Sequence, residues 1–218
     1  MPDKPSTKAL LIDAGEKFFG WYGFDGISLR EIAAAAKQAN RNVIQYHFKD
    51  KSGLIGAILK DRAGRIEVFR RKRLAGLGTG GPPDPREVLK VCWLPLLMVR
   101  GAEGSHTFCR FLMQYVMQRH VARHPLHGYE RRTGKSALRK NDLGSLVDAI
   151  QLLRTHYKDL PDATFDRRLS ALSMMFLASV VEHDNACLHR KGAVARDFGA
   201  DTLLDMSIGA FSAAVTRK

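Results

Sequence analysis

The sequence predicts an all-α fold: a helix-turn-helix head followed by a larger helical body. Three observations carry that expectation. Apolar residues recur at helical spacing along most of the 218 residues, and no stretch alternates with the period of a strand. Residues 28–51 read as two short helices around a tight turn. The run G-L-G-T-G-G-P-P-D-P, Gly76 to Pro85, has the composition of a linker and separates an N-terminal part from a larger C-terminal one.

A polar, proline-bearing arm comes first, where Lys4 and Lys8 could add phosphate contacts. The first helix should run from Thr7 to Tyr22, with Leu11, Ala14, Phe18 and Tyr22 along one stripe and Leu10 and Phe19 beside it. Gly23 ends it, Phe24 packs back, and Asp25-Gly26 turns the chain. Gly15 and Gly20 each cost roughly 1 kcal/mol against alanine in a helix, so their presence points to close packing.

Ser28 opens the second helix. Its hydroxyl can accept from the Glu31 N–H while Glu31 reaches back to the Ser28 N–H, a capping box. Leu29, Ile32, Ala33 and Ala36 then share one face, and the alanines let another helix approach closely. Lys37-Gln38-Ala39 has no apolar period and reads as the turn. Asn40 suits the cap of the next helix, whose Val43, Ile44 and either His47 or Phe48 hold it to the core. Arg41, Asn42, Gln45 and Tyr46 are left facing outward. Arg can fork onto guanine and Asn or Gln onto adenine, each bidentate pair worth about 1–3 kcal/mol of discrimination. Tyr46 and His47 can donate to phosphate oxygens. Lys51 begins the following helix, where ammonium and helix N-terminus can hold one phosphate together.

These residues resemble the TetR family of bacterial repressors. The resemblance is carried by L-L-I-D-A-G-E-K-F-F-G-W-Y-G-F-D-G-I-S-L-R-E-I-A, from Leu10 to Ala33, and by Q-Y-H-F-K-D-K-S-G-L, from Gln45 to Leu54. The turn A-K-Q-A-N is similar to a sub-pattern A-G-Q-x-N, with Lys37 standing where that pattern has glycine, so that a positive φ there would strain it. The DNA-contact candidates are Ser28, Lys37, Asn40, Arg41, Asn42, Gln45, Tyr46, His47 and Lys51. The resemblance covers roughly the first quarter of the chain; beyond about residue 75 it rests on helix layout.

The remaining helices come in order. Asp50 can cap a long helix from Lys51 to about Leu74, carrying Leu54, Ile58, Ile66 and Phe69 on its apolar positions; the run Arg70-Arg71-Lys72-Arg73 near its end reads as solvated charge favoured by the helix dipole. A helix from Pro85 to about Val99 should kink at Pro95. Others should span about Ser105 to Arg123, Asp142 (or Asn141 as cap) to Tyr157, Ala163 to His189, and Ala200 to Thr216. The expected organisation is a head over residues 1–50, a connecting helix over 51–75, a linker over 76–85 and a body over 86–218.

The last two helices, about 163–189 and 200–216, are apolar on more than one face, which suggests a two-fold interface. The resemblance implies the same: in the family these helices pair with the partner's into a four-helix bundle, giving a homodimer that reads a palindromic double-stranded operator. It also implies an inducer pocket in the body. Trp93, Met98, Phe108, Phe111, Tyr115 and Met174 are the ligand-contact candidates, their aromatic and thioether side chains suiting a small apolar or aromatic effector as well as plain core. The expected function is a ligand-released repressor. The alternative is a DNA-binding dimer of the same fold that senses nothing, or an activator.

Composition narrows the remaining classes. A net charge of +13 and a pI near 10.0 favour a polyanionic partner. Residues 1–80 carry 15 Lys and Arg against 8 Asp and Glu, the denser excess. Cys92, Cys109 and Cys187 match no zinc spacing and read as free thiols of a reducing cytosol. Leu169 to Val181 is interrupted by serines and falls short of the ~20 residues a membrane span needs, and the N-terminus lacks the apolar core of a signal peptide, so a cytoplasmic protein with no membrane partner is expected. His120, His124 and His127 lack a carboxylate at ligand-like spacing, and no metal or cofactor is expected. Glu182, His183 and Asp184 are sequence neighbours that point in different directions on a helix. No nucleophile pattern accompanies a histidine, so neither catalytic residues nor an enzyme is expected.

Overall fold

The computed structural model describes residues 5–40, 42–78, 81–101, 103–118, 143–189 and 199–214. Arg41, His120, His124, His127, Asn141, Asp142 and the last residues of the final predicted helix lie outside them. Among the described residues every regular element is helical. The chain divides into two compact units, Met1–Gly64 with Arg100–Asp142, and Arg65–Val99 with Leu143–Lys218.

In the first unit, α1 (Thr7–Tyr22) is capped by Ser6, whose hydroxyl accepts from Ala9 N at 3.2 Å, and ends at Gly23 with φ 71°. Its buried face is Leu11, Ile12, Gly15, Glu16, Phe19 and Gly20. The expected stripe is therefore rotated: Ala14 and Phe18 are half-buried and Tyr22 is exposed. The glycines explain the rotation. A Cβ on Gly15 would lie 3.1 and 3.2 Å from Leu54 and Ile58 of α4 (Lys51–Ala75), and one on Gly20 would lie 3.2 Å from the Phe111 backbone nitrogen of α6 (Thr107–Gln118). The face that meets other helices most closely is the one without side chains in the way. Phe24 and Phe111 meet edge-on at 5.7 Å, with Phe19 tilted against Phe24 at 5.4 Å.

One buried charge network ties these three helices. Arg62 of α4 donates to Glu16 at 2.5 Å and Asp13 at 2.5 Å on α1, and to its neighbour Asp61 at 2.7 Å. The Thr107 hydroxyl of α6 donates to the other Glu16 oxygen. Burial works against the Arg62 charge, yet Glu16 and Asp13 hold the guanidinium above its ordinary range.

In the second unit, α5 (Pro85–Trp93) starts on Asp84, whose carboxylate accepts from Arg86 N at 2.9 Å, with Pro85 at the first helical position. Pro95 does more than kink the helix. It ends α5, and a 3-10 turn, Leu94–Met98, comes next. Proline at 95 has no N–H for the Val91 carbonyl four residues back. Arg70 supplies the missing donor, its Nε donating to Val91 O, and its Nη2 donates to the neighbouring Cys92 O, each at 3.3 Å. Arg70 is thus buried, not the solvated charge expected, while Arg71, Lys72 and Arg73 are exposed. One turn earlier, Glu67 accepts from Ser145 N at 2.8 Å at the start of α7 (Gly144–His156). That helix has no side-chain cap of its own, so a carboxylate from α4 stands in for the expected Asn or Asp.

The long α8 (Asp162–His189) and α9 (Ala200–Ser212) complete the unit. Trp93 stacks on Phe176 at 5.4 Å, and Phe211 packs on Tyr157 at 4.9 Å and Phe165 at 5.5 Å. Arg168 donates to Phe211 O at 2.6 Å, satisfying a carbonyl at the end of α9. That helix stops at Ser212, short of the expected Thr216, because Ala213 is extended.

Candidate nucleic-acid interface

The first unit presents α2 (Leu29–Ala35) and α3 (Val43–Phe48) around a tight turn. The capping box forms as the sequence requires. Ser28 N donates to Glu31 Oε2 at 2.8 Å, the Ser28 hydroxyl to the same oxygen at 2.6 Å, and Glu31 N to Ser28 Oγ at 3.3 Å. The bond from the Ser28 hydroxyl, then that from its backbone, lowers the Glu31 pKa from its ordinary value.

The turn closes as a Schellman motif. Gln38 N donates to Ala33 O at 3.0 Å and Lys37 N to Ala34 O at 2.9 Å. Lys37 takes the left-handed position with φ 55°, so lysine does occupy the glycine-like site. The Asn40 amide oxygen does take up an N–H at the start of α3, accepting from Asn42 N at 2.9 Å; the regular helix begins at Val43, and Asn42 itself adds no side-chain cap.

Within α3 the division of faces is clean. Val43, Ile44 and Phe48 are buried, and Phe48 rather than His47 is the third anchor. Asn42, Gln45, Tyr46 and His47 are exposed, with Tyr46 at 84% and its ring edge-on to His47 at 5.0 Å. Ser28, Lys37 and Asn40 are exposed as well; Arg41 lies outside the described residues. Four exposed polar side chains on one short helix and its cap, backed by three buried apolar ones, form a surface that can offer amide, phenol and imidazole groups to base edges and phosphates.

The end of α3 is fixed by the first turn of α4. Asp50 accepts from Gly53 N at 2.8 Å and so caps α4. A Cβ on Gly53 would collide with the Phe48 carbonyl oxygen, which is why glycine stands two residues after Lys51. Lys51 is half-buried, and its ammonium donates to Phe24 O at 2.7 Å and Ile27 O at 2.9 Å. A groove of ≈ 420 Å³ beside the turn is lined by Arg30, Ala33, Ala34, Gln38 and Ala39. Arg30 and Lys49, both exposed in this unit, are cations the sequence reading did not single out.

Residues 11–58 match the family described as "Bacterial regulatory proteins, tetR family". Over that stretch, from α1 into α4, the chain is similar to the TetR family. Solved structures with the same fold include chains assigned as TetR-family transcriptional regulators from Shewanella sp. PV-4 (14% identity, 95% of this chain and 96% of that one, TM-score 0.53), Rhodococcus sp. (18%, 94% and 96%, 0.52) and Mesorhizobium loti MAFF303099 (15%, 94% and 94%, 0.51). No curated protein sequence matches. At these identities the neighbours show the fold alone, an all-helical one.

The ligand-contact candidates fall in different places. Phe108 and Phe111 are buried in the first unit, stacked at 5.9 Å, and Tyr115 is half-buried on the same helix. In the second unit Trp93 is buried against Phe176, Met174 is half-buried and Met98 is exposed. A cleft of ≈ 450 Å³ in that unit is lined instead by the end of α4 and the chain after it (Leu74, Leu77, Pro83) and by Asp148, Gln151, Leu152 and Thr155 of α7. Among the described residues no group of three or more His, Cys, Asp or Glu could hold a metal, and no helix is long and apolar enough to cross a membrane.

Proposed function

We propose that the chain is a homodimeric, sequence-specific transcriptional regulator, acting as a repressor that a small molecule releases from a palindromic operator. The observation that carries this reading is the exposed row Asn42, Gln45, Tyr46 and His47 on a helix anchored by Val43, Ile44 and Phe48. Its side chains match the chemistry of base-edge and phosphate contact, and the net charge of +13 suits a polyanion. Arg41, outside the described residues, is a further candidate for such a contact from the sequence alone.

Dimerisation is supported by the surface of α8 and α9. Ala171, Ala178, Leu188 and Met206 are exposed there, and Met174, Met175 and Ile208 are half-buried. Small and apolar side chains on two adjacent helices suit an isologous contact with a second copy. Such a dimer could place two α3 helices in successive major grooves, about 34–36 Å apart. The cleft beside the end of α4 is large enough for a small effector, within the ~300–1,000 Å³ of typical ligand pockets.

A second reading, a DNA-binding dimer with no effector, is favoured by one observation: Trp93, Phe108 and Phe111 are packed into core rather than around a cavity. The test is binding of a selected duplex followed by fluorescence anisotropy. The repressor reading expects tight binding by a dimer in sedimentation and loss of Asn42→Ala or Gln45→Ala affinity at single base positions. Monomeric protein, or equal losses on random and selected DNA, would contradict it.

A further inference from the structure

Near the end of α8, Cys187 Sγ and His183 Nε2 stand 3.6 Å apart. The two residues sit at i and i+4, so they lie on one face of the helix, a turn apart. Neither is core: Cys187 is exposed and His183 half-buried, and the neighbouring Ala186 and Leu188 are exposed too. The spacing between the cysteines carries no metal pattern. A histidine and a cysteine one turn apart do carry one, because a helix can then aim an imidazole nitrogen and a sulfur at one point outside it.

The distance decides what that point can hold. A tetrahedral zinc with Zn–S of about 2.3 Å and Zn–N of about 2.0–2.1 Å sets its two donors about 3.5–3.6 Å apart. The pair already has that separation. A lone contact between an exposed thiol and an imidazole contributes little in water, where each has solvent as a partner instead. The pair is also reachable in an assembled protein. At about 100° per residue, His183 and Cys187 lie about 120–180° round the helix from Ala171 and Ala178, the small exposed residues of the face proposed for dimerisation.

We propose that His183 and Cys187 form a bidentate site for a divalent cation such as zinc, with the remaining coordination positions taken by water or an exogenous thiol. His183 supplies the Nε2 lone pair. Cys187 releases its thiol proton to solvent and binds as thiolate, and no electron is transferred. Among the described residues no third His, Cys, Asp or Glu joins them. The site is therefore open, unlike the closed four-ligand cage of a structural zinc, and suits a cation that exchanges. Binding would clip the turn from His183 to Cys187, and the assignment does not depend on the DNA-binding reading.

Cobalt(II) is the probe, titrated into reduced full-length protein while near-ultraviolet and visible absorption are followed. A thiolate-to-cobalt charge-transfer band should grow in and saturate at a single cobalt per chain, and zinc should abolish it by displacement. Cys187→Ser should remove the band. His183→Ala should weaken cobalt affinity on the order of a hundredfold, because the second bond of a linked pair forms at high effective concentration. Circular dichroism of both variants checks that they remain helical. Zinc should raise the melting temperature of the unmodified protein and of neither variant. No band at millimolar cobalt, or a band that survives Cys187→Ser, overturns the assignment. So does an affinity unchanged by His183→Ala, which would leave only a cysteine that binds metal adventitiously.

Discussion

Arg62 of α4 donates to Glu16 of α1 at 2.5 Å, with both residues at most 4% exposed. The pair is the polar centre of the first unit, and it recruits Thr107 of α6 as a third member. Breaking a buried pair by deleting one partner strands the other charge, which typically costs about 3–5 kcal/mol. Arg62→Met should therefore lower the urea midpoint of the protein sharply. The joint change Glu16→Leu with Arg62→Met should recover a large part of the loss, since neither charge is then stranded. Equal losses in the single and double variants would contradict this.

Gly53 sets the angle between α3 and α4, because the Phe48 carbonyl oxygen occupies the space of its missing Cβ. Gly53→Ala should destabilise by about 1–3 kcal/mol, the range for forcing atoms into an occupied site, and should weaken DNA binding by displacing the end of α3. Thermal melts and anisotropy on the same preparation check both parts.

Ser28 and Glu31 predict a pH effect of known sign. Loss of an N-cap hydroxyl costs about 0.5–2 kcal/mol, so Ser28→Ala should lower stability at neutral pH by that order. The Glu31 pKa is lowered in the folded protein, chiefly by the Ser28 hydroxyl. Its contribution is present above the unfolded glutamate value and is lost as pH falls through the folded value. Stability of the unmodified protein should decline on acidification below that unfolded value, and the Ser28→Ala variant should show a shallower decline in the same window.

The three thiols should differ in reactivity. Burial, partly offset by Arg70, pushes the Cys92 thiol up to about 12, and Cys109 is fully buried. Cys187 is exposed, with its sulfur 3.6 Å from His183 Nε2. Alkylation of the native protein at mildly alkaline pH should label Cys187 first, with Cys92 and Cys109 reacting only on unfolding.

Local signals made most of the fold legible. The span Thr7–Tyr22, the Ser28 capping box, the Asp50 cap and the positive φ at Lys37 all stem from residues within a few positions of each other. Non-local partners did not show in this way. Pro95 announces that the Val91 carbonyl needs a donor, but nothing local says that Arg70 supplies it, so a buried guanidinium looked like one of four solvated cations. The α1 stripe keeps Leu11 and Phe19 but turns away from Tyr22 for a related reason: hydrophobicity points to Tyr22, while contact with α4 and α6 selects the glycine face. In the candidate site, the buried and exposed halves of α3 were readable from its spacing; the internal use of Lys51 and the strained Lys49 were not, since both depend on backbone carbonyls set by tertiary packing.

The central claim is that the exposed face of α3 reads a DNA sequence. Selection of bound duplexes from a random pool at physiological salt tests it most directly. The account predicts recovery of a two-fold symmetric site whose half-sites are spaced by about one helical turn, with enrichment abolished by replacing Asn42 and Gln45 with alanine. A pool that stays unenriched while binding persists at low salt would contradict it, leaving the net positive charge as the only force between this protein and DNA.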